Sequence, residues 1–226
     1  LNDVSIKISP GTTVGIIGNI GSGKSSILDL ICRLYDPSKG SITLDGINLK
    51  EYTLSQIRES IGYVPQNAFL FSESIENNIR FGSQKVDLKR IKDVSKKAVV
   101  HNNIVSFAKG YDTLLGERGI TLSGGQIQRI SIARALIKNS KILLLDDCLS
   151  AVDTDTEEEI LKHLKKISEN KTTLIVSHRI SSLKHANKII VIENGKIVQQ
   201  GKHSYLIGVD GYYKELFEKQ QTDRAK

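Results

Sequence analysis

The hydrophobic pattern switches period repeatedly along the chain, and each switch marks an element. Thr13, Val14, Ile16 and Ile17 form a β-rich run, and Ile27, Leu28, Ile31 and Leu34 then recur at helical spacing, predicting a strand followed by a helix from Gly23 to Leu34. Pro10-Gly11 and Asp45-Gly46 are turn signals, and residues 41–45 and 47–49 flank the second as a hairpin. A short helix over 54–58 and a strand over 61–64 complete this part. Beyond Gln66 the pattern becomes helical: residues 74–80, 87–100 and 102–107 read as helices with no strand between them. Ser123 then caps a helix carrying Ile127, Ile130, Ala133, Leu136 and Ile137. Strands return at 142–145, a continuous apolar run of the kind found in parallel strands buried on both faces, and at 172–176 and 188–192. A helix over 155–167 separates the first two, and Asn194-Gly195 turns a hairpin into 196–200. The polar tail from Lys219 onward is expected to fray. The sum is an α/β fold: a mostly parallel sheet, a flanking antiparallel β subdomain and an inserted α-helical subdomain. The core is assigned to residues 1–66 and 140–226 and the insert to 67–139.

Composition narrows the class. Of 226 residues, 39% are hydrophobic and 25% charged, which suits a globular chain with a real core. No run approaches the length of a membrane span, and no signal-peptide pattern opens the chain. The sequence contains no methionine, so it is read as a domain excised from a longer chain. The net charge of +7 admits nucleic acid or a membrane surface as partner. The densest basic run, 85–97, has Val86, Ile91 and Val94 between its charges, however, and reads as the solvated face of an amphipathic helix. With aromatics at only 5%, few side chains could stack bases, and no nucleic-acid partner is expected. Cys32 and Cys148 form no metal pattern and point to a reducing compartment.

The candidate chemistry begins at Gly18, Asn19, Ile20, Gly21, Ser22, Gly23, Lys24 and Ser25, with Ser26 following; the run fits G-x-x-x-x-G-K-[ST], the phosphate-binding P-loop. A strand, a glycine loop and a helix N-terminus in that order make an anion site, because backbone N–H groups converge there and the helix dipole adds positive potential. Lys24 is placed to reach the β- and γ-phosphates of ATP and Ser25 to ligate Mg²⁺. The alternative, a glycine-rich turn with an incidental Lys-Ser, has both flanks against it. The core is thus read as that of a P-loop NTPase. A second feature, Ile142 to Asp147, ends an apolar strand in two carboxylates, where ligands bind in open α/β sheets, and Asp146 is the expected Mg²⁺ ligand there. A third is Leu122-Ser123-Gly124-Gly125-Gln126, a second glycine-rich anion site at a helix N-terminus.

With these residues in place, the chain resembles the nucleotide-binding domains of the ATP-binding cassette (ABC) ATPases. Leu122 to Arg129 reads as their signature, L-S-G-G-Q-x-Q-R; Ile142 to Asp147 resembles the Walker B strand; Val64-Pro65-Gln66 resembles the Q-loop, Ser150 to Asp153 the D-loop, and Ser177-His178-Arg179 the switch histidine. The resemblance covers nearly the whole chain. It implies that two such domains pair head to tail, with each Mg-ATP between the P-loop of one and Ser123, Gly124, Gly125 and Gln126 of the other. Gln66 is implied to contact Mg²⁺ and the attacking water, His178 the γ-phosphate, and Asp153 the partner domain. The remaining histidines, 101, 163, 185 and 203, fit no motif and are expected at the surface. The stretch from Ala68 to Ile79 resembles the exporter segment that meets the coupling helix of a transmembrane domain, and Gly116 to Gly119 resembles the exporter X-loop. That places the chain at the cytoplasmic face of the cell membrane as part of an integral transporter.

Two departures qualify the resemblance. The family's catalytic Glu after Walker B is Asp147 here, one methylene or about 1.5 Å shorter. Because a general base must lie within hydrogen-bond reach of the water, Asp147 is expected to support binding better than hydrolysis. In the exporters this chain resembles, an intact signature beside a shortened carboxylate implies the degenerate half of a heterodimer, as is expected here; a slow homodimer remains the alternative. The family also stacks adenine on an aromatic residue that would precede Leu1, so weaker nucleotide affinity and frayed antiparallel strands are expected for this stretch alone. Two other classes stay open on these residues: a non-hydrolytic regulatory module, and a soluble ABC ATPase acting on nucleic acid.

Overall fold

In the computed structural model of the chain, which describes residues 1–83, 85–116 and 121–224, the apolar runs assemble into one six-stranded sheet. Its spatial order is β4 (Ile61–Val64), β5 (Ile142–Asp146), β6 (Thr172–Val176), β1 (Thr13–Gly18), β7 (Lys188–Glu193) and β8 (Lys196–Gly201). The first five are parallel, and β8 closes one edge antiparallel to β7 through the Asn194-Gly195 turn. The inner strands, such as β5 and β7, read as apolar runs because both faces are covered. Successive residues point to opposite sides, so Leu143 and Leu145 of β5 join one core with Ile175, Ile189 and Val191. Leu144 joins the other with Ile16, Leu174, Ile190 and Ile192.

The second core is capped by α1 (Lys24–Ile31), α2 (Leu54–Ser60) and a two-stranded hairpin, β2 (Thr43–Leu44) with β3 (Ile47–Asn48). This hairpin is the whole of the separate antiparallel sheet; residues 1–12 pair with no strand, although the Asn2 N–H bonds Gly195 O at 2.8 Å. Helix α1 stops at Ile31 and not at Leu34. Arg33 turns left-handed with φ +51° and donates to Leu49 O and Tyr52 O at 3.2 and 3.0 Å, tying the turn to the hairpin and leaving Leu34 half exposed.

The first core carries the helices of the insert: α3 (Ile75–Arg80), α4 (Leu88–Lys97), α5 (His101–Val105) and α6 (Gly124–Ile137). The starts of α3, α4 and α6 are set by side-chain caps. Ser74, Asp87 and Ser123 each accept from an amide in the first turn, satisfying one of the helix's orphan donors. Below them lie α7 (Thr154–Ser168) and α8 (Ile180–Leu183), and α9 (His203–Leu206) and α10 (Tyr212–Arg224) follow β8. The tail expected to fray is helical to Arg224, because Tyr213 is fully buried and Leu216 and Phe217 pack on the core. Three of the histidines expected at the surface are half-buried. His101 and His203 hydrogen-bond the hydroxyls of Tyr111 and Tyr213, both at 2.9 Å, and His163 bonds Lys97 O at 3.0 Å. Only His185 is exposed.

Candidate nucleotide site

Four neighbouring parallel strands deliver the candidate residues to one sheet edge. Strand β1 ends at Gly18 and opens the P-loop, β5 ends in Asp146 and Asp147, β6 runs into Ser177-His178, and β4 runs into Pro65-Gln66. Because β4, β5, β6 and β1 are adjacent and in register, their C-terminal ends face the same crevice. Within it, α1 begins without a side-chain cap. Its N-cap is Gly23 at φ +101°, a conformation glycine adopts at no steric cost. The first-turn N–H groups are therefore left to an anion, and the dipole favours one.

Lys24 is almost fully buried and donates to Gly18 O at 2.9 Å and Asn19 O at 2.7 Å. Burial lowers its ammonium below the usual range, while Asp147 and Asp146 pull the other way. Asp146 is buried, and burial raises its carboxyl; the nearby Ser25 hydroxyl opposes that rise, while Asp147 adds to it. A desolvated lysine beside two buried carboxylates is an arrangement that gains from a cation near the carboxylates and an anion near the lysine. The buried Ser22 hydroxyl has no hydrogen-bond partner, so the loop also holds an unmet polar atom. Ser25 with Asp146 gives the hydroxyl and carboxylate oxygens that suit Mg²⁺, whose remaining positions go to phosphate oxygens and water. The residues present thus fit Mg-ATP.

Asp147 takes φ +42°, a left-handed turn that Asp tolerates better than most side chains. Its N–H donates to Val176 O at 2.9 Å, and its Oδ1 accepts from the His178 N–H at 3.4 Å. The carboxylate is folded against the switch segment. Gln66 is exposed, as is Ile20 at the loop tip.

The signature stands apart. Among the described residues no hydrogen bond joins 123–126 to 18–26. Ser123 and Gln126 close a capping box instead: Ser123 Oγ accepts from the Gln126 N–H at 3.3 Å, and Gln126 Oε1 from the Ser123 N–H at 2.9 Å. The serine hydroxyl keeps its own proton to donate. Of the expected X-loop, residues 117–119 lie outside the described residues.

The residues 1–150 match the family model described as ABC transporter. The chain belongs to the ABC transporter family. It is 46% identical over 223 residues to the "Uncharacterized ABC transporter ATP-binding protein YknU" of Bacillus subtilis (strain 168), covering 99% of this chain and 38% of that protein. It is 43% identical over 224 residues to the "ATP-dependent lipid A-core flippase" of Legionella pneumophila (strain Paris), covering 99% and 38%. Among solved structures, it is similar to a "bacterial Atm1-family ABC exporter with ATP bound", with a TM-score of 0.90 and 39% identity over 93% of this chain and 37% of that one. The chain spans less than two fifths of the length of these relatives. No helix among the described residues is long and apolar enough to cross a membrane.

Three features of this ABC chain escape a motif reading. The D-loop is held from both sides: Gln128, on the signature helix, donates to Ser150 Oγ at 3.2 Å and accepts from the Ala151 N–H at 3.0 Å. From the switch side, Arg179 donates to Ser150 O and Val152 O at 3.1 and 3.3 Å and pairs with the buried Glu157. Glu157 also accepts from Ser181 Oγ at 3.0 Å and Ser182 Oγ at 2.7 Å. Asp153 caps its own helix α7, accepting from the Thr156 N–H at 3.0 Å. Finally, the exposed Phe69 is joined by a ring the sequence did not single out. Phe71 and Phe81 pack with centroids 4.6 Å apart, and Arg134 lies 5.4 and 5.9 Å from them. Arg134 and the fully buried Asn78 pin this stretch through Phe69 O and the Phe71 backbone. Only long-range hydrogen bonding reveals these roles, because Asn78 and Arg134 are 56 residues apart.

Proposed function

We propose that this chain is the ATP-binding motor domain of a transmembrane exporter, with residues 67–139 as its helical arm on a core of 1–66 and 140–226. The observation that carries the reading is the convergence of the P-loop, Gln66, Asp146, Asp147 and His178 on one sheet edge while residues 123–126 present a separate helix N-terminus. One anion site without the second makes half of a nucleotide site, and pairing with a second nucleotide-binding domain supplies the other half. In this reading the backbone of residues 18–26 and Lys24 hold the phosphates, Ser25 and Asp146 hold Mg²⁺ with Gln66 beside them, and His178 faces the γ-phosphate. Ser123, Gly124, Gly125 and Gln126 serve the partner's nucleotide. When bound, Mg²⁺ offsets phosphate charge. Because ATP touches both domains only when they are closed, it shifts the pair toward the closed state.

Hydrolysis at this chain's own site is slow. Asp147 is one methylene shorter than Glu, and its Oδ1 lies 3.4 Å from the His178 amide nitrogen. A misplacement of about 1 Å can cost on the order of a hundredfold in rate. We therefore read the chain as the degenerate half of a heterodimer, at the cytoplasmic face of the membrane. The Phe69, Phe71 and Phe81 surface suits a coupling helix, since it is aromatic, rigidly braced and beside the Q-loop. Asp147 also favours a second reading, in which ATP at this site acts only as glue in a regulatory module. Titration calorimetry of Mg-ATP against wild type and Lys24→Ala tests the shared premise. Micromolar to submillimolar binding that weakens at least about tenfold in the variant supports it; equal affinity overturns it.

A further inference from the structure

The switch segment has a brace from the opposite end of the chain. Gln220, on α10, donates from Nε2 to His178 O at 2.7 Å and accepts at Oε1 from the Ile180 N–H at 2.9 Å. Both distances are those of well-formed bonds. A single primary amide, which offers a donor and an acceptor side by side, thereby spans residues 178–180.

The two groups it satisfies have need of a partner. Ile180 opens the four-residue helix α8, and Arg179, at its N-cap, supplies no side-chain cap. The Ile180 N–H is therefore an orphan of the kind every helix start leaves. On the other side of His178, its own N–H reaches Asp147 Oδ1 only at 3.4 Å, a weak tie. The Gln220 bond to His178 O is the shorter of the two backbone bonds that fix this histidine. The brace stands on a firm base: Tyr213 of α10 is fully buried, its hydroxyl bonds His203, and Leu216 and Phe217 pack on the core.

We infer that Gln220 is a positioning residue for His178: the C-terminal helix sets the backbone of the switch segment and so the direction of the imidazole. This rests on the reading of His178 as the γ-phosphate contact. In catalysis Gln220 acts only through His178.

The test uses the full-length exporter chain alone in an Asp147→Glu background, where this chain's own site is expected to turn over, with Gln220 and His178 intact or with Gln220→Ala, Gln220→Met, His178→Ala or the His178→Ala/Gln220→Met pair. Methionine keeps the length and bulk of glutamine while removing both bonds, so it separates hydrogen bonding from packing. Steady-state ATPase is expected to show kcat lowered about fivefold to tenfold in Gln220→Met and Gln220→Ala, with KM for ATP within about twofold. In the His178→Ala background, Gln220→Met is expected to cost nothing further. The kcat of the Asp147→Glu parent in Gln220→Met, or a full additional loss in the double variant, overturns the proposal. Amide hydrogen exchange of the nucleotide-free protein gives a readout independent of catalysis: exchange at Ile180 is expected to be about fivefold to tenfold faster in Gln220→Met. Unchanged protection there overturns the proposal whatever the ATPase shows. An Asp147→Glu parent without ATPase activity counts against the hydrolytic reading of the site, and the exchange measurement then decides the role of Gln220 by itself.

Discussion

Arg179→Ala probes the joint between the switch segment and the D-loop. The Glu157 carboxylate is only 3% exposed, and besides Arg179 it has two partners, the hydroxyls of Ser181 and Ser182. Breaking a fully buried pair by deleting one member costs about 3–5 kcal/mol, because the survivor keeps its charge without its partner. Here the arginine side chain is 38% exposed, so water and the two hydroxyls recover part of that cost. The expected loss is about 2 kcal/mol. For a chain of this size, about 2–4 °C accompanies each kcal/mol, so the melting temperature should fall by about 4–8 °C. Thermal unfolding followed by circular dichroism at neutral pH reads this directly. A charge-free pair, Glu157→Gln with Arg179→Met, keeps an acceptor for both serines and should recover more than half of the fall. A single variant that melts within about 1 °C of wild type, or a double variant no better than the single, would refute the reasoning.

Two further outcomes follow from the same geometry. Ser123→Ala removes the hydroxyl half of the signature's capping box and should cost about 1 kcal/mol, seen as a fall of about 2–4 °C in the same melt. Both thiols should resist a maleimide at pH 8 in the folded protein and react once it is unfolded, as mass spectrometry of the labelled chain would show. Burial pushes Cys148 up to about 12 and Cys32 up to about 11, so neither carries thiolate at that pH.

The sequence made most of the frame legible, for physical reasons that can be named. Apolar runs such as Ile142 to Leu145 announce a strand covered on both faces, and capping residues such as Ser123 and Asp87 mark helix starts because they satisfy local donors. The motifs of the candidate site lie in single stretches and in loops at strand ends, so they too can be read from the sequence. The stop of α1 at Ile31 was not, because it depends on Arg33 reaching Leu49 and Tyr52 across the hairpin. Nor was the order of the α10 tail, whose polar composition hides the buried Tyr213 and the Gln220 bonds. The bracing of the D-loop by Gln128 and Arg179, and of the aromatic surface by Asn78 and Arg134, was invisible for the same reason. Each joins residues far apart in the chain, and no local pattern encodes such a pair.

The central claim is that this site binds ATP more readily than it hydrolyses it, and Asp147 is the reason. The direct measurement is the ATPase turnover of wild type and Asp147→Glu, each alone and with the second half of the exporter. The account predicts that the added methylene raises turnover of the chain alone by at least about tenfold, within the range that a 1 Å correction can supply. It also predicts that wild type supports hydrolysis once paired, through its intact Ser123, Gly124, Gly125 and Gln126. Wild type turning over alone as fast as Asp147→Glu would contradict it.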